Sequence, residues 1–135
     1  MPRVRIEPRY WDEILEDPSD ATLRHFLLEA DQQGHWGDAL VRYDDGPLSR
    51  EMIILSDLQL GYYFQYISDD GRYLSVGDPS RLDEVVCPDD WYASAGLFVS
   101  PDKAWLILVE FCKSGRRADA VEWITPADMP ADGNW

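Results

Sequence analysis

The chain has 135 residues and a formal net charge of −14, because 26 Asp and Glu stand against 12 Lys and Arg. A surface of this sign repels nucleic acid and anionic membranes and attracts basic partners, although acidity can also serve solubility alone. Hydrophobic residues make up 45% and aromatic residues 13%, which argues against intrinsic disorder and predicts a single domain, residues 1–135. The N-terminus lacks an apolar signal core and no stretch approaches a membrane span, so we expect a cytoplasmic protein.

The N-terminal region is predicted to be an arm followed by a helix. Residues 1–16 mix basic and acidic side chains and predict a loosely packed arm. Asp17 and Pro18 are typical of a helix start, because proline at the first turn needs no backbone partner. Gly34 is a plausible end. Apolar residues at helical spacing predict one buried face between these points: Leu23, Phe26, Leu27 and Ala30.

From residue 38 the hydrophobic period changes from helical to alternating. Four strands are predicted, at residues 39–43, 52–55, 62–67 and 72–76. Asp–Gly sequences between the first and second and between the third and fourth predict turns. In the third strand, Tyr62, Phe64 and Tyr66 are expected on one face of the sheet and Tyr63 on the other.

The strongest helix signal lies between residues 100 and 115. Ser100 suits the N-cap, Pro101 the first helical position and Gly115 the residue just after the helix. Between them the chain is almost wholly apolar except for Glu110. Such a helix is usually buried on most of its surface, so we expect it to lie at the centre of the fold.

Short strands are predicted on both sides of this central helix, at residues 97–99 and 121–123, and residues 126–135 are predicted to be a frayed tail. Successive strands joined by short turns favour an antiparallel meander. The expected fold is therefore α+β: a five- or six-stranded antiparallel meander sheet packed against a central C-terminal helix, with a second helix near the N-terminus.

Residue types that carry enzyme chemistry are scarce. His25 and His35 are the only histidines, and neither has a second ligand at metal-binding spacing. Cys87 precedes a proline and has carboxylates nearby, which raise rather than lower the pKa of a thiol. The paired aspartates fall in predicted turns, where a solvated role is commoner than a catalytic one. We therefore expect no catalytic residues, no metal and no cofactor.

The loop predicted at residues 77–94 is the best candidate for a partner-binding surface, because loops of this length in compact domains are often functional. Between residues 69 and 90, seven acids stand against Arg72 and Arg81, a net charge of 2 − 7 = −5. Two adjacent aromatics follow, and buried aromatic anchors with flanking charges are typical of protein interfaces. The predicted partner-binding residues are Asp69, Asp70, Asp78, Asp83, Glu84, Asp89, Asp90, Trp91 and Tyr92.

Two alternatives to this surface stay open. Trp91 and Tyr92 could close the edge of the sheet while the acids are merely solvated. The partner could instead bind an open face of the sheet around Tyr63.

The last third of the chain resembles the C-terminal signature of immunity proteins of bacterial polymorphic toxin systems, closest to the family catalogued as immunity protein one. Upstream, the resemblance extends only to the order of elements. The residues that carry it follow the capped helix start and are, in chain order, Glu110-Phe111, Gly115, Arg116-Arg117 and Val121-Glu122-Trp123.

This resemblance implies a cytoplasmic, non-catalytic inhibitor that binds a cognate toxin and occludes its active site. It also implies a gene immediately downstream of the toxin gene. A toxin that acts on nucleic acid, such as a nuclease or a deaminase, needs a basic cleft, which an acidic inhibitor can fill. We expect this toxin as partner, with the chain a monomer alone or in a 1:1 complex. The alternative is an acidic adaptor protein unrelated to toxins.

Overall fold

The computed structural model describes residues 2–8, 13–30, 38–87 and 91–135. The strands in these ranges are β1 Arg3–Pro8, β2 Leu15–Glu16, β3 Asp38–Asp45, β4 Leu48–Asp57, β5 Gly61–Ser68, β6 Gly71–Val76, β7 Val85–Val86, β8 Ala93–Ser94 and β9 Glu122–Ile124. The helices are α1 Asp20–Arg24, which continues as a π-helix His25–Ala30, and α2 Pro101–Ser114. Short 3₁₀-helices span Pro79–Arg81, Ala95–Leu97 and Pro126–Asp128.

Seven of these strands form one antiparallel sheet in the order β2-β1-β3-β4-β5-β6-β9, and β7 pairs separately with β8. Two-residue turns close the β3–β4 and β5–β6 hairpins, where Asp45 pairs with Leu48 and Ser68 with Gly71. The predicted α+β class and antiparallel sheet are confirmed. The sheet is larger than the five or six strands expected, because the N-terminal segment contributes to it.

Residues 3–8, predicted to belong to a loosely packed arm, form the strand β1 instead. Val4 and Ile6 are buried, and Ile6 pairs with Val41 on β3. Asp17 fixes the other edge of β1, since its backbone N–H donates to the Val4 carbonyl at 2.8 Å and its carboxylate accepts from the Val4 N–H at 2.8 Å. Val4 and Ile6 lie on one face of β1, and this face belongs to the core because β1 pairs with β3, a strand far along the chain.

Helix α2 begins and ends where the sequence predicts. The Ser100 hydroxyl oxygen accepts from the Lys103 N–H, and Gly115 ends the helix at φ 70°. The buried side chains on α2 are Ala104, Ile107, Leu108 and Phe111, in one core with Tyr62, Phe64 and Tyr66 of β5. Within the described ranges, no helix combines the length and the apolar character needed to cross a membrane.

The opposite face of the sheet is covered near β5 and β6 by residues 91–99, which we call the covering segment. Tyr63 is 0% exposed and packs against Phe98, with ring centroids 5.8 Å apart. The predicted strand at residues 97–99 is wrong, because Leu97 belongs to the 3₁₀-helix Ala95–Leu97 and only Val99 bridges to Tyr62. The alternative of an open sheet face around Tyr63 is therefore also wrong.

Ser75 connects this covering segment to the sheet. Its hydroxyl is buried, accepts from the Phe64 N–H at 3.0 Å and donates to the Leu97 carbonyl at 2.9 Å. Ser75→Ala would leave both backbone groups without this partner, which costs about 1–3 kcal/mol. We expect a loss of this size in urea unfolding, and almost none for Ser49→Ala, since Ser49 is exposed near the start of β4. Equal, small losses in both variants would show that the bonds contribute little.

The C-terminal residues 126–135, predicted to fray, pack onto the covering segment. Ser94 and Asn134 exchange two bonds, because the Ser94 N–H donates to the Asn134 carbonyl at 2.8 Å and the Asn134 N–H to the Ser94 hydroxyl at 2.9 Å. The Asn134 side-chain amide also donates to the Tyr92 carbonyl at 2.6 Å. These bonds satisfy backbone groups that a frayed tail would leave to water, so the prediction of fraying is wrong.

Candidate partner-binding surface

The acidic segment after β6 is built as a series of local caps and pairs. Asp78 begins the 3₁₀-helix Pro79–Arg81, and its carboxylate accepts from the Ser80 N–H at 3.0 Å and the Ser80 hydroxyl at 2.6 Å. These hydrogen bonds, from the hydroxyl first and then the N–H, lower the pKa of Asp78. Asp78 therefore keeps its negative charge while it shapes the loop.

Glu84 is held by Arg81 in a bidentate pair. The Arg81 Nε and Nη2 atoms donate to its two carboxylate oxygens, each at 2.8 Å. The hydrogen bond lowers the pKa of Glu84 and raises that of Arg81. Because the two charges largely cancel, the net negative charge of this part of the loop comes from Asp78 and Asp83, both of which are exposed.

The two adjacent aromatics have different environments. Trp91 is partly buried, and its ring stacks on Phe98 with centroids 6.0 Å apart and planes at 27°. Tyr92 is 63% exposed. Trp91 therefore packs against the hydrophobic cluster that contains Tyr63 and Phe98, while Tyr92 is the aromatic available to a partner. Asp89 and Asp90 lie outside the described residues.

Asp69 and Asp70 are not part of this loop surface. They form the turn before β6, whereas Asp78 follows the other end of that six-residue strand. At ~3.3 Å per residue the two groups are about 20 Å apart along the strand. Asp70 accepts from the Ser68 and Tyr73 hydroxyls, and the Ser68 bond is the main cause that lowers its pKa. The structure thus brings Asp78, Asp83 and Glu84 together on one segment and separates them from the turn.

The turn at Asp69-Asp70 instead borders a group of arginines that sequence reasoning missed as a site. Arg50 and Arg117 line a cleft of about 330 Å³ with this turn. They also line a neighbouring cleft of about 530 Å³ together with Arg116. We call Arg50, Arg116 and Arg117 the arginine cluster.

One sequence signal for this cluster was available. Arg50 lies two residues before the apolar Met52 in the sequence, so strand alternation predicts a charge on the same face of β4 as Met52. In the structure that face is the core face, since Met52 is buried and Arg50 pairs with the buried Tyr43. Among the described residues, neither Arg116 nor Arg117 forms an ion pair with Glu110. Glu110 accepts from the Ser114 hydroxyl at 3.0 Å, because both side chains lie one helical turn apart on α2.

Two groups with nucleophilic potential, the Cys112 thiol and the Tyr63 hydroxyl, have raised pKa values because they are buried. Burial, followed by the charge of Asp20, raises the pKa of the Cys112 thiol to about 12, so the thiolate is not populated near neutral pH. Burial also raises the pKa of Tyr63. In the part of the chain that the structure describes, no three His, Cys, Asp or Glu side chains are grouped to hold a metal ion.

Comparison with protein-family models, with curated proteins and with solved structures finds no match to this chain. Function is therefore inferred from the residues and their geometry.

Proposed function

We propose that this chain is an immunity protein, a non-catalytic inhibitor that binds a cognate toxin in the cytoplasm and occludes its active site. Three features support the proposal: the net charge of −14, the resemblance of the last third of the chain to such proteins, and the geometry of the loop after β6. The α1–sheet–α2 arrangement would then be an immunity-type domain.

The observation that carries the proposal is the support given to the exposed Tyr92. The neighbouring Trp91 stacks on Phe98 and the Asn134 side-chain amide donates to the Tyr92 backbone carbonyl, so the backbone at Tyr92 has little conformational freedom to lose on binding. Aromatic side chains presented in this way are typical of interface hot spots.

Negative charge lies on the same segment as Tyr92. Asp83 lies shortly before β7 and Tyr92 directly before its partner β8, so the two residues are close to the same two-residue ladder. Exposed acids mainly accelerate encounter with a basic surface. We infer that the partner is a toxin that acts on nucleic acid, a nuclease or a deaminase, whose basic cleft receives this segment in a 1:1 complex.

The first test is co-expression with the product of the gene immediately upstream. We expect that product to arrest growth alone, and the present chain to restore growth and co-purify with it in a 1:1 complex.

Tyr92→Ala is expected to weaken the complex by about 2 kcal/mol, or roughly 30-fold in Kd, mainly through faster dissociation. Asp83→Lys is expected to slow association and flatten its dependence on salt.

The structure supplies matched controls for both variants. Asp45→Lys makes the same charge change as Asp83→Lys, but at the end of β3 beside the β3–β4 turn. Asp83 is preferable to Glu84 because it forms no ion pair with Arg81. Stopped-flow association at two salt concentrations distinguishes the two sites. An upstream product that is harmless or does not bind would refute the proposal. Equal slowing by Asp45→Lys would move the interface away from the loop.

A further inference from the structure

The arginine cluster joins three side chains from different parts of the chain. Arg50 comes from β4, and Arg116 and Arg117 follow the end of α2. All three line the cleft of about 530 Å³, whose walls also include Tyr66 and Trp123. Asp119 is the one carboxylate among the residues that line this cleft, whereas Asp69 and Asp70 line the neighbouring cleft with Arg50 and Arg117. The cleft of about 530 Å³ therefore has three cationic side chains and one carboxylate.

The positive charge of the cluster is not neutralised by ion pairs. Some arginines of the chain pair with glutamates, as Arg5 does with Glu7 at 3.1 Å and Arg42 with Glu51 at 3.5 Å. Among the residues that the structure describes, no carboxylate oxygen lies within 4.0 Å of a guanidinium nitrogen of the cluster. The guanidinium groups of the cluster therefore remain available to an anionic ligand.

The walls of the cleft are fixed before any ligand arrives. The Arg117 guanidinium lies 3.6 Å from the Tyr73 ring centroid, which leaves its N–H edge available for hydrogen bonds. The Tyr66 hydroxyl donates to the Gly115 carbonyl at 2.9 Å, and the Trp123 indole N–H to the Ala118 carbonyl at 2.9 Å. An arginine held in this way loses little freedom when it binds an anion.

We propose that the arginine cluster is a binding site for a single small oxyanion, either a phosphate group or the carboxylate of an acidic side chain. Guanidinium groups bind both bidentately, with short charge-assisted hydrogen bonds. The net charge of −14 opposes a long polyanion such as nucleic acid, whereas the local charge attracts one small group. This site lies at the opposite end of β6 from the loop surface and does not depend on the proposed function.

Isothermal titration calorimetry of the full chain at low ionic strength tests the proposal, with inorganic phosphate in one arm and N-acetyl-glutamate amide in the other. Saturable binding in the phosphate arm identifies a phosphate group as the ligand, and in the glutamate arm an acidic side chain. We expect Arg50→Ala and Arg117→Ala each to weaken this binding by at least about tenfold.

Arg42→Ala is the matched control, because it removes the same charge from an arginine on the other face of the sheet, where Glu51 already pairs with it. It should leave the affinity unchanged. Thermal melts without ligand verify folding, and Arg50→Ala provides a variant that keeps the Arg117–Tyr73 stack. Absence of saturable binding in both arms at millimolar concentrations, or equal weakening by Arg42→Ala, would overturn the proposal.

Discussion

Phe111→Ala is expected to lower the free energy of unfolding by about 3–5 kcal/mol, the usual range for truncating a buried aromatic side chain. Phe111 is 0% exposed. Its ring meets the edges or faces of Tyr43 and Tyr66, with centroids 6.2 Å and 5.9 Å away. Alanine would leave a cavity between α2 and two strands, and both tyrosines would lose an aromatic partner. Equilibrium unfolding in urea measures the change.

Leu106→Ala on the same helix is the control for Phe111→Ala. Leu106 is 49% exposed, so its truncation should change stability by less than about 0.5 kcal/mol, as is usual for surface positions. Similar losses in the two variants would mean that α2 does not bury the face carrying Phe111, and the described core would be wrong.

Gly61→Ala is expected to destabilise the fold by at least about 2 kcal/mol, because two costs of about 1–3 kcal/mol each combine. Gly61 has φ 102°, and a Cβ built on it would collide with the Val99 carbonyl oxygen. That carbonyl accepts from the Tyr62 N–H at 3.0 Å, and the Val99 N–H donates to the Tyr62 carbonyl at 2.7 Å. Alanine would therefore push apart the junction between β5 and the start of α2.

Gly71→Ala separates the two costs of the Gly61 substitution. Gly71 has φ 134°, but a Cβ there meets nothing within 4 Å, so this variant carries the backbone strain without the collision. Thermal or urea unfolding should show Gly61→Ala as clearly the less stable of the two. Equal stabilities would indicate that the β5–α2 junction can open without cost.

Features that depend on near neighbours in the chain were predictable. Ser100 and Gly115 mark the ends of α2 because caps act within one turn of the helix. The two faces of β5 follow from alternation alone, and the structure places Tyr62 and Tyr63 in different hydrophobic clusters.

Features that depend on distant partners were not. β1 is a strand because Ile6 meets Val41, and the tail is ordered because Asn134 meets Ser94, 40 residues away. A short segment shows no local sign of such pairing, so the apparent arm and the apparent frayed tail were both wrong.

The candidate sites show the same limit. The acids between residues 69 and 90 are close in sequence, yet a straight strand carries Asp78 away from Asp69 and Asp70. Arg50 and Arg117, 67 positions apart in the sequence, line one cleft because β4 and the end of α2 meet at the same end of the sheet. Because the acids are close in sequence, we predicted one acidic surface where the structure has two separate groups. Because the arginines are far apart in sequence, their common cleft was not predicted.

The strands shorten sharply toward the two borders of the large sheet. β4 at its centre has ten residues, whereas the outermost strands β2 and β9 have two and three. Unpaired backbone along a border strand is the template on which β-rich chains add to one another and aggregate. Border strands this short offer an incoming copy only a few N–H and C=O groups, and like charges oppose its approach. We therefore expect the protein to remain free of fibrils and visible precipitate when it is concentrated near neutral pH.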